Sequence, residues 1–294
     1  MSQPVLVVGD VMTDLIVVPE GPMVKGSDRR ATVRSRPGGS GANQAVWLGS
    51  MGADVRFAAR VGDADRATHE RYLQSLGVTP LLTGDTALPS GVLVTIVDAD
   101  GERSFLTDRG ANLNLCAADL PDSLLDGVAM VMVSGYSFFA DGPRAAVMGL
   151  LASARARHIA VAIDPASIGF LAEVGAARFL GWTAGADWIF ANADEAGALT
   201  GADDLEQQLR MLGEQFTHVV IKRGQLGAVL GGREGVRVAL PAQIVPVVDS
   251  TGAGDAFAAG LLAAHLAGQD MAVALAAGIA AGARAVQFIG GQPQ

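Results

Sequence analysis

The sequence predicts an α/β fold: a doubly wound, mostly parallel sheet with helices on both faces, plus a small β lid. Three observations carry that expectation. Short β-branched runs alternate with helix-like segments along most of the 294 residues. Those runs are apolar nearly throughout, as strands covered on both faces are. Half of the chain (50%) is hydrophobic and only 17% is charged, which is ample for a large core. No internal repeat or low-complexity linker interrupts it, so residues 1–294 read as a single domain.

The first run is VLVVGD at 5–10. The N-terminal stretch has no basic segment, and Asp10 and Asp14 break its apolar residues, so it reads as strand and turn and not as a signal peptide. Residues 15–37 then look like an antiparallel strand pair. GANQAVWLGSMG (41–52) has helical spacing, VRFAARVG (55–62) is a strand, and 90–111 is a second pair turning at DADGE. Two hairpins rooted in one sheet would form a flap over the C-terminal edge of the strands, where such sheets bind ligands; we read it as a lid. Its apolar edges point to a dimer formed through the lid strands. MVMVSG (130–135), IAVAID (159–164), WIFAN (188–192) and HVVIKRG (218–224) continue the strands, with PRAAVMGLLASARARH (143–158) and DEAGALTG (194–201) as helices between them. IVPVV (244–248) reads as a strand before the last helical region. That region, 256–288, is broken by His265, Gln269, Asp270 and Arg284 into two buried helices and is no membrane span.

Charge and cysteine content narrow the chemistry. A net charge of −9 repels phosphate backbones and anionic lipid, so nucleic acid and membrane are excluded as partners. Any phosphate must be gripped locally, by backbone N–H groups, a helix N-terminus or a metal ion. Cys116 is the only cysteine, and His69, His158, His218 and His265 have no metal-ligand spacing, which fits a reducing, cytoplasmic setting.

Four stretches could carry chemistry. In DSTGAGDAFAAG (249–260), the N–H groups of Gly252, Ala253, Gly254 and Asp255 form an anion nest at a helix start. Asp255 is either an ordinary helix-start acid or a base that accepts a hydroxyl proton beside a phosphate. Asp249 either caps the turn or binds a cation. In RPGGSGANQA (36–45), Gly38, Gly39 and Gly41 do not form a Walker A loop; Asn43 beside them suits a polyhydroxyl ligand. Asn192 and Glu195 form a capping box or face one site. Lys222, Gly224 and Gly227 form a tight hairpin or a turn against which a nucleotide lies.

Together, GGSGANQA with LGSMGADVRFAARVGD, followed about two hundred residues later by DSTGAGDAFAAG, resemble the ribokinase (PfkB-type) family of ATP-dependent carbohydrate and nucleoside kinases. The resemblance runs from VVGDVMTDLIV to GGQPQ. It implies Asp255 as catalytic base with Gly252, Ala253 and Gly254 as anion hole. It implies Asp14, Gly38, Gly39 and Asn43 for sugar hydroxyls, and Asn192 and Glu195 for magnesium and the ATP phosphates. Lys222, Gly224 and Gly227 would hold the nucleotide. Asp249 and Thr251 match positions that hold a monovalent cation, potassium, in many members, with Ala285, Gly290 and Gln294 as further candidates. Two departures bear on the substrate: Ser40 stands where such ribokinases usually carry lysine, and VSGYSFF (133–139) lacks an expected acid, leaving Tyr136 to stack on a sugar or base. The acceptor implied is a primary hydroxyl of a sugar, with a nucleoside, fructose or 2-keto-3-deoxygluconate as alternatives. A non-catalytic sugar-binding protein is a separate alternative, and the presence of Asp255 speaks against it.

Overall fold

The computed structural model describes residues 3–98 and 103–293. The chain starts with β1 (Val5–Val8), whose four residues are all buried. β2 (Met12–Pro19) and β3 (Ala31–Gly38) form a hairpin, and α1 (Ser40–Ser50) follows directly. β4 (Val55–Gly62), α2 (Asp63–Ser75) and β5 (Val78–Asp85) return to the main sheet; β6 (Gly91–Val97) and β7 (Arg103–Asp108) form the second hairpin. The DADGE turn expected there lies, from residue 99 to 102, outside the described residues.

The middle of the chain alternates: β8 (Met130–Ser134), α3 (Asp141–Ala156), β9 (Ala160–Asp164), α4 (Ile168–Val174), α5 (Ala176–Trp182), β10 (Trp188–Asn192), α6 (Ala193–Thr200), α7 (Leu205–Leu212) and β11 (His218–Lys222). β12 (Ala228–Gly232) and β13 (Gly235–Leu240) then double back, before α8 (Ala253–Leu266) and α9 (Met271–Ala285).

The main sheet runs β13-β12-β11-β10-β9-β8-β1-β4-β5, parallel from β11 to β5, with β12 and β13 added antiparallel. Strand periodicity sorts the core into two layers. Val5 and Val7 face one layer with Trp47 of α1, Leu261 of α8 and Leu275 of α9. Leu6 and Val8 face the other, with Leu150 of α3, Phe179 of α5 and Leu209 of α7. This two-sided cover explains why the strands read as unbroken apolar runs. The alanine-rich C-terminal region forms two helices in close contact. At Gly260 a Cβ would lie 2.7 Å from Ala281 Cβ, so glycine sets that approach.

The second sheet has the order β3-β2-β6-β7: each hairpin is antiparallel, and the two join in parallel through β2 and β6. One expected strand is absent. Residues 244–248 carry no strand, and Ile244 is 97% exposed, because Pro246 removes a ladder donor from the middle of the run. Among the described residues no helix is long and apolar enough to cross a membrane.

Candidate active site

The parallel strands deliver polar side chains to a single edge, the carboxyl end where open α/β sheets bind ligands. Asp10 follows β1, Tyr136 follows β8, Asp164 ends β9, Asn192 ends β10 and Lys222 ends β11. All five line an open cavity of about 320 Å³. The start of α1 (Gly39, Ser40, Asn43), the start of α8 (Gly252, Gly254, Asp255), Thr251 and Glu195 complete its floor, while Met12, Asp14, Leu93 and Thr107 reach it from the small sheet.

The glycine motif brings backbones close together. Gly39 has φ +94°, and a Cβ there would meet Asp10 O at 2.6 Å. A Cβ at Gly38 would fall 2.3 Å from the Asp14 carboxylate, so Gly38 makes room for Asp14 and lies outside the cavity lining. Asp10 closes the start of α1, accepting from Ser40 N, Gly41 N and Ser134 Oγ, each at 3.2 Å.

α8 begins at Gly252 in the left-handed region (φ +72°), and no side chain caps this end among the described residues. The N–H groups of Gly254 and Asp255 in its first turn are therefore left for a ligand. Gly252, Gly254 and Asp255 face the cavity; Ala253 N turns back to Ser250 O at 3.3 Å. The Asp255 carboxylate accepts from Ser40 Oγ (2.7 Å), Asn43 Nδ2 (2.9 Å) and Gln44 Nε2 (3.1 Å). Burial, with the charge of Asp164, lifts its pKa from 3.8 to about 7 against the pull of Asn43, Ser40 and Lys222.

Lys222 pairs with Asp164 at 2.9 Å. Burial disfavours its ammonium, but Asp164 and Glu195 outweigh that and hold it above its ordinary value. The two readings of Asn192 and Glu195 coexist. Asn192 Oδ1 accepts from Glu195 N and Glu195 Oε2 from Asn192 N, both at 2.8 Å, while both residues line the cavity. Burial raises the Glu195 carboxyl from 4.5 to about 7, opposed by Lys222 and aided by Asp164.

Other expected site residues lie beside the cavity. Gly224 and Gly227 shape the β11–β12 turn (φ +54° and +87°). Asp249 is buried: Oδ1 accepts from Thr251 N and Oδ2 from Gly290 N, both at 2.9 Å. Ala285 ends α9 and is buried, and Gln294 lies outside the described residues. No group of three or more His, Cys, Asp or Glu is placed to hold a metal among the described residues. Asp10, Gln44, Arg109, Asp164 and Phe170 were not singled out as site residues. For Asp10 and Asp164 a signal existed: each is the carboxylate that terminates an apolar parallel strand.

A family model described as "pfkB family carbohydrate kinase" matches residues 2–294. The chain belongs to the pfkB family of carbohydrate kinases. Among curated relatives, the "Bifunctional protein HldE" of Pseudomonas fluorescens is 31% identical, the match covering 95% of this chain and 60% of that protein. The protein of the same name from Shewanella baltica is 32% identical over 92% of this chain and 57% of its own length. This pfkB chain thus spans about 60% of the length of those relatives. Solved structures share the fold. Adenosine kinase from Sinorhizobium meliloti superposes with a TM-score of 0.89 at 22% identity, covering 100% of this chain and 96% of that one. Ribokinase from Cryptococcus neoformans in complex with ADP gives 0.81 at 24%, covering 99% and 96%. An Escherichia coli protein in complex with ATP and Mg²⁺ gives 0.87 at 20%, covering 99% and 94%.

Proposed function

We propose that this pfkB-family chain transfers the γ-phosphoryl group of ATP to a primary hydroxyl of a sugar. The observation that carries the reading is the placement of Asp255: a carboxylate lifted to about 7 in the first turn of α8, directly beside uncapped N–H groups in an otherwise acidic cavity. In the transfer the acceptor oxygen bonds to the γ-phosphorus, the bond to the β-phosphate bridging oxygen breaks, and Asp255 takes the hydroxyl proton. Gly252 and Gly254 present backbone N–H groups to the transferred group, and Lys222 adds a fixed positive charge. Asp14 and Asn43 hold the acceptor: Asp14 Oδ1 and Asn43 Oδ1 are buried and have no protein partner.

Magnesium and a monovalent cation are part of this reading. Glu195 and Asn192 would hold Mg²⁺, which neutralises phosphate charge, chiefly through the phosphates themselves. Asp249 with Thr251, Ala285 and Gly290 would hold K⁺ beside the nest. Gly224 and Gly227 would flank the nucleotide. The small sheet closes as a lid, bringing Leu93 and Thr107 over the acceptor and excluding water. With ATP as donor the reaction belongs to the cytoplasm, and the protein works as a dimer through its lid strands. The aromatic wall of Tyr136 and Phe170 also suits a nucleoside base as acceptor.

The test is ADP release with ATP, Mg²⁺ and a panel of sugars and nucleosides. Asp255→Asn should lower kcat about 10²–10⁴-fold while ATP still binds. Turnover near wild type in that variant would sink the assignment.

A further inference from the structure

The Asp255 carboxylate meets the start of α1, and its two oxygens are held differently. Oδ1 accepts twice, from Ser40 Oγ at 2.7 Å and from Gln44 Nε2 at 3.1 Å. Oδ2 accepts once, from Asn43 Nδ2 at 2.9 Å. Gln44 Nε2 also donates to Ser40 Oγ, at 3.1 Å. The Ser40 hydroxyl therefore accepts from the amide and directs its own hydrogen to Asp255.

These donors stand on a rigid element. Ser40 N and Gly41 N both donate to Asp10, each at 3.2 Å, and every residue from Gly41 to Leu48 is buried. Farther along α1, Trp47 Nε1 donates to Gly291 O at 2.9 Å. Packing alone does not account for Gln44. Its side chain is fully buried and hydrogen-bonds only Ser40 and Asp255 among the described residues, while its Oε1 has no partner there. A buried amide with an unsatisfied oxygen costs stability, and what it gains here is contact with the carboxylate.

We infer that Ser40 and Gln44 are positioning residues that clasp Oδ1 of Asp255, leaving Oδ2 as the atom that takes the acceptor's proton. This role rests on the kinase reading and adds to it which oxygen is the base and what aims it. Asn43 agrees with the assignment. One end of its amide donates to Oδ2, and the other, Oδ1, is the buried atom free to receive the acceptor. An acceptor held there meets Oδ2 of Asp255, whereas Oδ1 of Asp255 has both lone pairs engaged by Ser40 and Gln44. The titratable groups that act on Asp255 are Asp164 on β9, Lys222 on β11 and the Tyr136 phenol after β8; its three donors from α1 are neutral. Such donors favour the ionised carboxylate without cancelling its charge, so the clasp keeps a buried Asp255 usable as a base, and loss of a donor makes it harder to ionise.

The test follows Asp255 in two ways on the full chain. The acid limb of kcat against pH, measured with whichever sugar or nucleoside of the panel is turned over, reports the base in the enzyme–substrate complex. Carbon-13 NMR of the aspartate-labelled chain follows the Asp255 carboxyl without turnover, identified as the resonance missing in Asp255→Asn. Ser40→Ala should move both upward by about one pH unit, lowering kcat at pH 7 roughly fivefold and restoring it near pH 9, with the acceptor KM within about twofold of wild type. Ser40→Thr keeps the hydroxyl and should recover most of the shift. Gln44→Leu removes a donor to both Asp255 and Ser40 and should shift both readouts by at least as much. An Asp255 titration unmoved by Ser40→Ala or by Gln44→Leu overturns the inference. So does a kcat lowered equally at every pH, or a rise in KM with kcat unchanged. An Asp255 titration that moves while the acid limb stays in place, or while no acceptor is turned over, leaves the clasp standing and removes the kinase reading instead.

Discussion

Asp14 shows at the residue scale how the cavity trades stability for chemistry. Its side chain is 4% exposed, and burial, reinforced by Asp10 and Asp249, lifts its carboxyl from 3.8 to about 7. Unfolded, it ionises near its ordinary value; folded, it keeps its proton until about neutrality. Between those pH values the folded state binds the extra proton, so the contribution of Asp14 to stability falls as pH rises and reaches its full penalty above about pH 7. Asp14→Asn cannot ionise and escapes that penalty. The variant should therefore melt several degrees above wild type at pH 8, with the gap closing toward pH 4; about 4 kcal/mol is the upper bound set by the shift. A gap of equal size at both pH values in calorimetric scans would refute the account. Beside its Gly-Ala-Gly turn, Asp255 alone fitted an ordinary helix-start acid as well as a base, and only its co-occurrence with GGSGANQA favoured the second reading. Arg109 was not legible, since nothing in residues 108–112, DRGAN, shows that its side chain turns into the cavity.

At the scale of elements, the site is made by two helix starts pressed close to other backbone. Gly252 begins α8 at φ +72°, and a Cβ there would lie 2.4 Å from Gly291 Cα, with backbone on both sides of the clash. Gly268, just past the other end of α8, has φ +77° but nothing within 4 Å. The pair separates backbone strain from displacement of the nest. Gly268→Ala should cost about 1 kcal/mol, the price of left-handed φ alone, with ATP affinity retained. Gly252→Ala should destabilise by more than that and weaken ATP binding, because relieving the clash moves the first turn of α8 or the Gly291 segment. Equal effects of the two variants on melting and on ATP affinity would show that the close approach plays no part. The turn was readable because glycines at a helix start have few other uses. The strand expected ahead of it was not, because β-branched content in IVPVV outweighed Pro246 on inspection, whereas in the fold the missing donor decides.

At the scale of the whole molecule, apolar runs alternating with helices were enough to read a doubly wound sheet, because two-sided burial leaves a continuous signal. Of the antiparallel edge strands, β12 (AVLGG) was read only as one alternative, a tight hairpin after β11, and β13 (GVRVAL) was not read at all. The small sheet leaves a question that its register answers. Met12, Asp14, Leu93 and Thr107 face the cavity, and paired residues share a face: Asp14 with Leu93, Leu93 with Thr107. The opposite face then carries Leu15, Val17, Val33, Val94, Ile96 and Leu106 together with the polar Thr13, Ser35, Ser104 and Asp108, and Val33 is 58% and Leu106 61% exposed. A largely apolar sheet face with open edges at β3 and β7 could receive a second copy. Four strands of up to eight residues present roughly 19 by 26 Å, about 500 Å² per chain, which is below the area of a typical stable interface. A dimer formed through this face, as proposed above, should therefore dissociate on dilution, with light scattering after gel filtration moving from dimer toward monomer as concentration falls through the micromolar range. Leu106→Glu would place a charge on the edge strand β7 of that face, where a second copy would bury it without a counter-charge, and should leave only monomer at every concentration. A wild-type chain that stays monomeric at high concentration, or a Leu106→Glu variant that still dimerises, would show that this face is covered in some other way.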